Sequence, residues 1–182
     1  MTALKLRARP YPETVFGGVL FIPYSSLLEV SRGVVKMATT TDPRIAMHVV
    51  NQGPGMGTPD QGSKPDIAIM IFDAHGEGHA RSESGFAWAF ETEGAQEVSA
   101  STITLRQMHA FAETFRDYQG DNQFWLSAPL LEGKLDEKDL IRAWKWYEDT
   151  IDLYPGFGAG STILLEFMQK VMVLALDVSK WI

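Results

Sequence analysis

Recurring strand–helix–strand units predict a mixed domain in which helices pack on a single sheet. Three observations carry that prediction. Apolar runs of strand length alternate with segments that are apolar at helical spacing. Clusters of Gly and Pro mark the boundaries between them. The run Ile67-Ala-Ile-Met-Ile-Phe72 is apolar on both sides, which predicts a central strand covered on both faces.

Thr2–Arg9 alternates from its first position: Leu4 and Leu6 point one way, Lys5, Arg7 and Arg9 the other. That is the pattern of a half-buried strand, and Pro10 and Pro12 stop it. Thr14–Ile22 is a second strand. Ser25–Ala38 reads as a helix with Leu27, Leu28, Val30, Val34 and Val35 on its apolar stripe and Ser25 or Ser26 available to cap it. Arg44–Asn51 returns as a strand, and the Gly- and Pro-rich Gln52–Lys64 is a loop. After Ile67–Phe72, Glu77–Thr92 reads as one helix, with Ala80, Ser84, Ala87, Trp88 and Glu91 on a stripe. Val98–Leu105 alternates and reads as a strand; Gln107–Arg116 fits neither period clearly.

The third unit is the clearest. Gln123–Ala128 is a strand, and Asp136 caps a helix whose buried stripe is Leu140, Ile141, Trp144, Tyr147, Glu148 and Ile151. Pro155-Gly156 ends that helix, and Thr162–Met168 is the last strand. Strands separated by single helices make either a parallel sheet or a split, ferredoxin-like antiparallel one, and pattern alone leaves both open. The tail Lys170–Ile182 holds an apolar run, Val171–Leu176, with no evident partner.

A chain of 182 residues suits one domain with a small extension. A net charge of -7, with no basic cluster beyond Lys5, Arg7 and Arg9, disfavours nucleic acid and anionic membranes as partners. The absence of cysteine excludes disulfides, thiolate metal sites, cysteine nucleophiles and a cysteinyl flavin link within this chain. Val15–Ile22 after basic residues mimics a signal peptide, but Pro10 and Pro12 interrupt it and no small-x-small cleavage site follows. No apolar run reaches transmembrane length. Localisation stays undetermined, with cytoplasm the default.

His75-Gly-Glu-Gly-His79 places two histidines four apart with a glutamate between them. The order is not that of a zincin helix, and two glycines make a poor helix. The favoured reading is a strand ending at Asp73, a turn at Gly76 and a helix from Glu77, with no metal site. Gly156-Phe-Gly-Ala-Gly-Ser161 and Gly53-Pro-Gly-Met-Gly57 resemble phosphate-cradling loops, but neither joins a strand to a following helix, so both read as turns. No Gly-x-Ser-x-Gly elbow is present, and Ser82-Glu-Ser-Gly85 lacks the first glycine.

Strand alternation nominates a substrate-facing sheet surface. Gln123, Trp125 and Ser127 share one face of their strand, while Phe124, Leu126 and Ala128 take the other. Glu166 is a carboxylate on a largely apolar strand. Such a group can be tuned to serve as a base, with a solvated strand-end residue as the simpler reading. His48 lies midway along its strand, where a satisfied sheet histidine is the simpler reading than a catalytic one. Trp144 fits a buried helical stripe and Trp146 does not.

The segment Thr2-Ala-Leu-Lys-Leu-Arg-Ala-Arg-Pro10, the Pro-rich turn and Val15-Phe-Gly-Gly-Val-Leu-Phe-Ile-Pro23 resemble the junction between flavin and substrate domains in FAD-linked oxidases of the berberine-bridge-enzyme-like group. The resemblance runs from about Thr2 to Gln169 and departs from the family at both ends. It implies an α+β fold: a mostly antiparallel sheet with helices on one face, built from ferredoxin-like strand–helix–strand units. It further implies that residues 1–169 are the substrate-binding domain and 170–182 a divergent tail. FAD is the implied cofactor, held by a flavin-binding domain that acts as partner, with a small organic substrate oxidised by hydride transfer to flavin. No flavin-linking motif lies in this chain, so no catalytic residue follows from the resemblance. The expected substrate-facing residues are Gln123, Trp125, Ser127, Glu166 and His48. On this reading the chain is truncated or excised and inactive alone. The alternatives are a free-standing α+β binding or dimerisation module and a non-functional gene fragment.

Overall fold

A computed structural model of the chain describes residues 12–40, 42–54, 64–113, 135–158 and 161–167. Among the described residues, six strands form one sheet: β1 (Thr14–Ile22), β2 (Ile45–Gln52), β3 (Asp66–Asp73), β4 (Gln96–Glu97), β5 (Ser101–Thr104) and β6 (Thr162–Phe167). The order is β4-β1-β3-β2-β6, and β5 pairs with β1 beyond the end of β4. All pairings are antiparallel. The fold is therefore α+β with an open antiparallel sheet, the arrangement that the resemblance implied and that pattern alone left undecided. β3 lies between β1 and β2, as its two-sided apolar run requires.

The helices are α1 (Leu27–Ala38), α2 (Glu77–Ala80), α3 (Ala87–Glu91), α4 (Leu105–Glu113), α5 (Glu137–Leu153) and α6 (Pro155–Gly158). One sheet face carries Phe16, Leu20 and Ile22 from β1, Met47 and Val49 from β2, and Ile67, Ile69 and Ile71 from β3. Val30, Val34 and Met37 of α1, Ala89 of α3, and Leu140 and Trp144 of α5 close over them as one apolar core. The opposite face holds a smaller cluster, Val19, Val50 and Ala68, with half-buried Phe21, Met70 and Leu164 around it. α4 lies on this second face: Met108 fills the space where Gly17 would carry a side chain. The helices are thus not confined to one face.

Local chemistry explains where helices start and stop. The Asp136 side chain accepts from the Asp139 N–H at 2.9 Å and caps α5. Trp144 is fully buried, and Trp146 is 59% exposed, as the helical stripe predicts. Ser26 occupies the N-cap position of α1 but makes no capping bond; its hydroxyl donates to the Glu93 carbonyl at 3.2 Å, and a 3-10 turn over Tyr24–Ser26 opens the helix instead. Leu28, expected on the buried stripe, is 45% exposed, and Ser31, Gly33 and Met37 are buried in its stead. Gly33 costs α1 about 1 kcal/mol of helix propensity, but its bare Cα lets the Trp88 ring lie against the helix.

The helix expected over 77–92 is two short ones. Ser82, Glu83 and Ser84 favour turns over helix interior. The Ser82 hydroxyl donates to the His79 carbonyl at 2.7 Å, and the Phe86 N–H bonds back to the Ala80 carbonyl at 2.6 Å. Of the strand expected over 98–105, Ser101–Thr104 form β5 and Leu105 already opens α4, while β4 lies just before it at Gln96–Glu97. The two glycine-rich segments singled out above meet each other, with Gly53 against the backbone of Gly158. Gln123–Ala128, the N-terminal strand and the tail lie outside the described residues.

Two substitutions on one helix test this packing. Trp144→Ala is expected to cost about 3–5 kcal/mol by emptying the core, whereas Trp146→Ala should stay within about 0.5 kcal/mol. Urea unfolding of both variants checks the contrast.

Candidate functional site

Polar side chains converge at the end of the sheet where β3 runs into α2. Asp73 is the last residue of β3, on the helix-covered face, and is fully buried. Its register partners are Phe16 of β1 and Ile45 of β2, which anchors it between two strands. Both carboxylate oxygens are engaged. Oδ1 accepts the His75 backbone N–H at 2.8 Å, and Oδ2 pairs with His79 Nδ1 at 2.7 Å. Gly76 makes the turn with φ of 92°, a left-handed value that glycine adopts without strain. The turn expected at Gly76 and the helix start at Glu77 are therefore both present.

That turn also brings the imidazoles together. The His75 and His79 ring centroids are 4.6 Å apart, inclined at 44°. His75 Nε2 lies 2.7 Å from Asp42 Oδ2, from the segment that leads into β2. The other Asp42 oxygen accepts the Arg44 N–H at 2.9 Å, and the Ala74 N–H bonds to the Arg44 carbonyl at 2.9 Å. Asp42, His75, His79 and Asp73 thus form one continuous polar chain from the surface into the core. Burial opposes ionisation of Asp42, but the Arg44 N–H and the two imidazoles outweigh it and hold its carboxyl below the ordinary value.

Arg81 fixes α2 beside this chain. Its guanidinium grips Glu97 on β4 through two bonds, of 3.0 and 2.8 Å, and Glu77 through a third of 2.9 Å. It also lies over the Phe90 ring at 4.4 Å and the Phe16 ring at 5.4 Å. A second polar cluster sits at the far side of α5, where Glu148 accepts from Tyr24 Oη at 3.1 Å and pairs with Lys64. Burial, reinforced by the Glu148 carboxylate, raises the Tyr24 phenol above its ordinary range. This cluster ties Tyr24 and Lys64 to α5.

Of the five expected substrate-facing residues, two are brought together. His48 on β2 and Glu166 on β6 are backbone register partners, and His48 lies on the sheet face away from α1 and α5. Gln123, Trp125 and Ser127 lie outside the described residues. The Asp42–His75–His79 cluster was not expected. A pair of histidines flanking a Gly-Glu-Gly turn carried part of the signal, but nothing local pointed to Asp42, which is 33 positions away from His75.

The site and its scaffold define an α+β open-sheet domain with a histidine–carboxylate cluster at one sheet end. Comparison with protein-family models, curated proteins and solved structures finds no match. Among the described residues, no helix is long and apolar enough to cross a membrane.

The depressed carboxyl predicts a pH dependence. Asp42 titrates lower in the folded chain than its unfolded value of about 3.9, so its contribution is complete above that value. It is lost as pH falls through the folded value. The stability difference between the wild type and Asp42→Asn should shrink as pH falls below about 4. Urea titrations across that range measure it.

Proposed function

We propose that this chain is the substrate-facing domain of a FAD-linked oxidase of the berberine-bridge-enzyme-like kind. The observation that carries the reading is the second sheet face, where Val19, Val50, Met70 and Leu164 surround positions that pair His48 with Glu166. The main helical layer lies on the opposite side of the sheet, with α4 at the start of β1, which suits a second face that roofs a flavin and its substrate. The N-terminal motif supports the same assignment by resemblance.

On this reading the flavin carries the redox chemistry and accepts hydride from the substrate when a partner domain holds it. This chain contributes orientation, an apolar wall that excludes water and, at the His48–Glu166 position, a group able to take a proton from the substrate. Apolar walls with a few polar groups are the usual composition of such sites.

The free-standing dimerisation module is the competing reading, because two copies could cover each other's second face. Gel filtration with FAD and a panel of small aromatic alcohols separates the two. The oxidase reading expects a monomer that retains no flavin, with ligand-induced NMR shifts clustered at Val19, Val50, Met70 and Leu164. Retained flavin would contradict an anchoring partner domain, and a dimer that buries these residues would replace the oxidase reading with the module.

A further inference from the structure

We propose that Asp42, His75 and His79 bind one divalent transition-metal ion of the zinc class, with Asp73 as the positioning carboxylate behind them. This site lies at the sheet end and is independent of the flavin-oxidase reading. It revises the view that the His75–His79 motif is a turn and nothing more: the turn is what assembles the donors.

Geometry is the first support. One ligand atom from each of the three residues lies within 4.8 Å of the others. Around a tetrahedral zinc ion, with bonds of about 2.0–2.1 Å, neighbouring donors sit about 3.3 Å apart. The His75–Asp42 contact of 2.7 Å has to open slightly and the wider separations have to close. The side chains can do this because His75, Asp42 and His79 are 30%, 32% and 28% exposed.

The fully buried carboxylate is the second, independent support. Metal-bound histidines characteristically give their other ring N–H to a carboxylate, which fixes the tautomer and raises the basicity of the ligating nitrogen. Asp73 Oδ2 does this to His79 Nδ1 at 2.7 Å. The His79 proton is then on Nδ1, and Nε2 keeps its lone pair for a metal. Asp73 Oδ1 meanwhile holds the His75 backbone N–H, so one buried group positions both histidines.

The donor set selects the metal class. Two imidazoles and one carboxylate suit zinc, cobalt, nickel or ferrous iron and not the all-oxygen shells of calcium and magnesium. Asp42 and Asp73 together offset the charge of a divalent ion. Three protein donors leave a fourth position for water, the arrangement of zinc sites that are open to exogenous ligands.

Zinc titration of the whole chain, read by the histidine ring resonances in NMR and by calorimetry, tests the proposal without any variant. One ion per chain is expected, with the His75 and His79 resonances shifting while those of His48 and His109 hold still. His75→Ala and His79→Ala should each weaken binding more than Asp73→Asn, whose loss should be about 10–100-fold. His109→Ala should change nothing. The unfolding midpoint measured with a chelator present separates a metal-positioning role of Asp73 from a purely structural one. Zinc binding that survives the double substitution of His75 and His79, or resonances of those two rings that do not move in excess zinc, would overturn the assignment.

Discussion

The structure depends on the burial of β3. A strand flanked by antiparallel neighbours on both sides satisfies its backbone groups through the ladder. It can then present Ile67, Ile69 and Ile71 to the helices and Ala68 and Met70 to the other face. Covering the first set sets where α1 and α5 lie. Trp144 and Leu140 reach the sheet only because Val30, Val34 and Met37 leave room beside them. The buried side of α1 is small where Trp88 approaches it and branched where it meets the strands.

The same strand gives the polar cluster its rigidity. Asp73 closes β3 at a position whose side chain faces the core, where an unpaired carboxylate would cost several kcal/mol. Its two oxygens are met by groups from the turn immediately following, so the demand of one buried charge shapes the turn. The histidines stand where they do because Asp73 needs partners, and Arg81 keeps α2 from moving away by gripping the edge strand. Core packing and site geometry are in this sense one constraint.

The two sheet faces differ in what they demand. The helix-covered face carries the main apolar core and, at its ends, the buried polar residues Asp73 and Asn51. The other face is a smaller cluster with half-buried rims and α4 over the start of β1. A surface of this kind, interrupted by His48 opposite Glu166, combines apolar area with polar groups at fixed register. The proposed oxidase reading rests on that combination.

Much of the fold was legible in the chain because periodicity is a local property. β1, β2, β3 and β6 lie within a residue or two of where alternation and apolar runs put them. The cap at Asp136 and the opposite fates of Trp144 and Trp146 follow from helical spacing alone. The break within residues 77–92 was hidden, because a stripe of apolar residues looks the same whether or not Ser82–Ser84 turn the chain between them. Antiparallel pairing was also undecided locally, since the ladder direction depends on how crossovers pack and not on the strands themselves. The sequence by itself determined which residues want to be buried and that two histidines flank a turn. Only the tertiary structure decided that Asp42 meets them and that His48 pairs in register with Glu166, because such pairings arise from how strands and their connections align, which joins residues that no local pattern links.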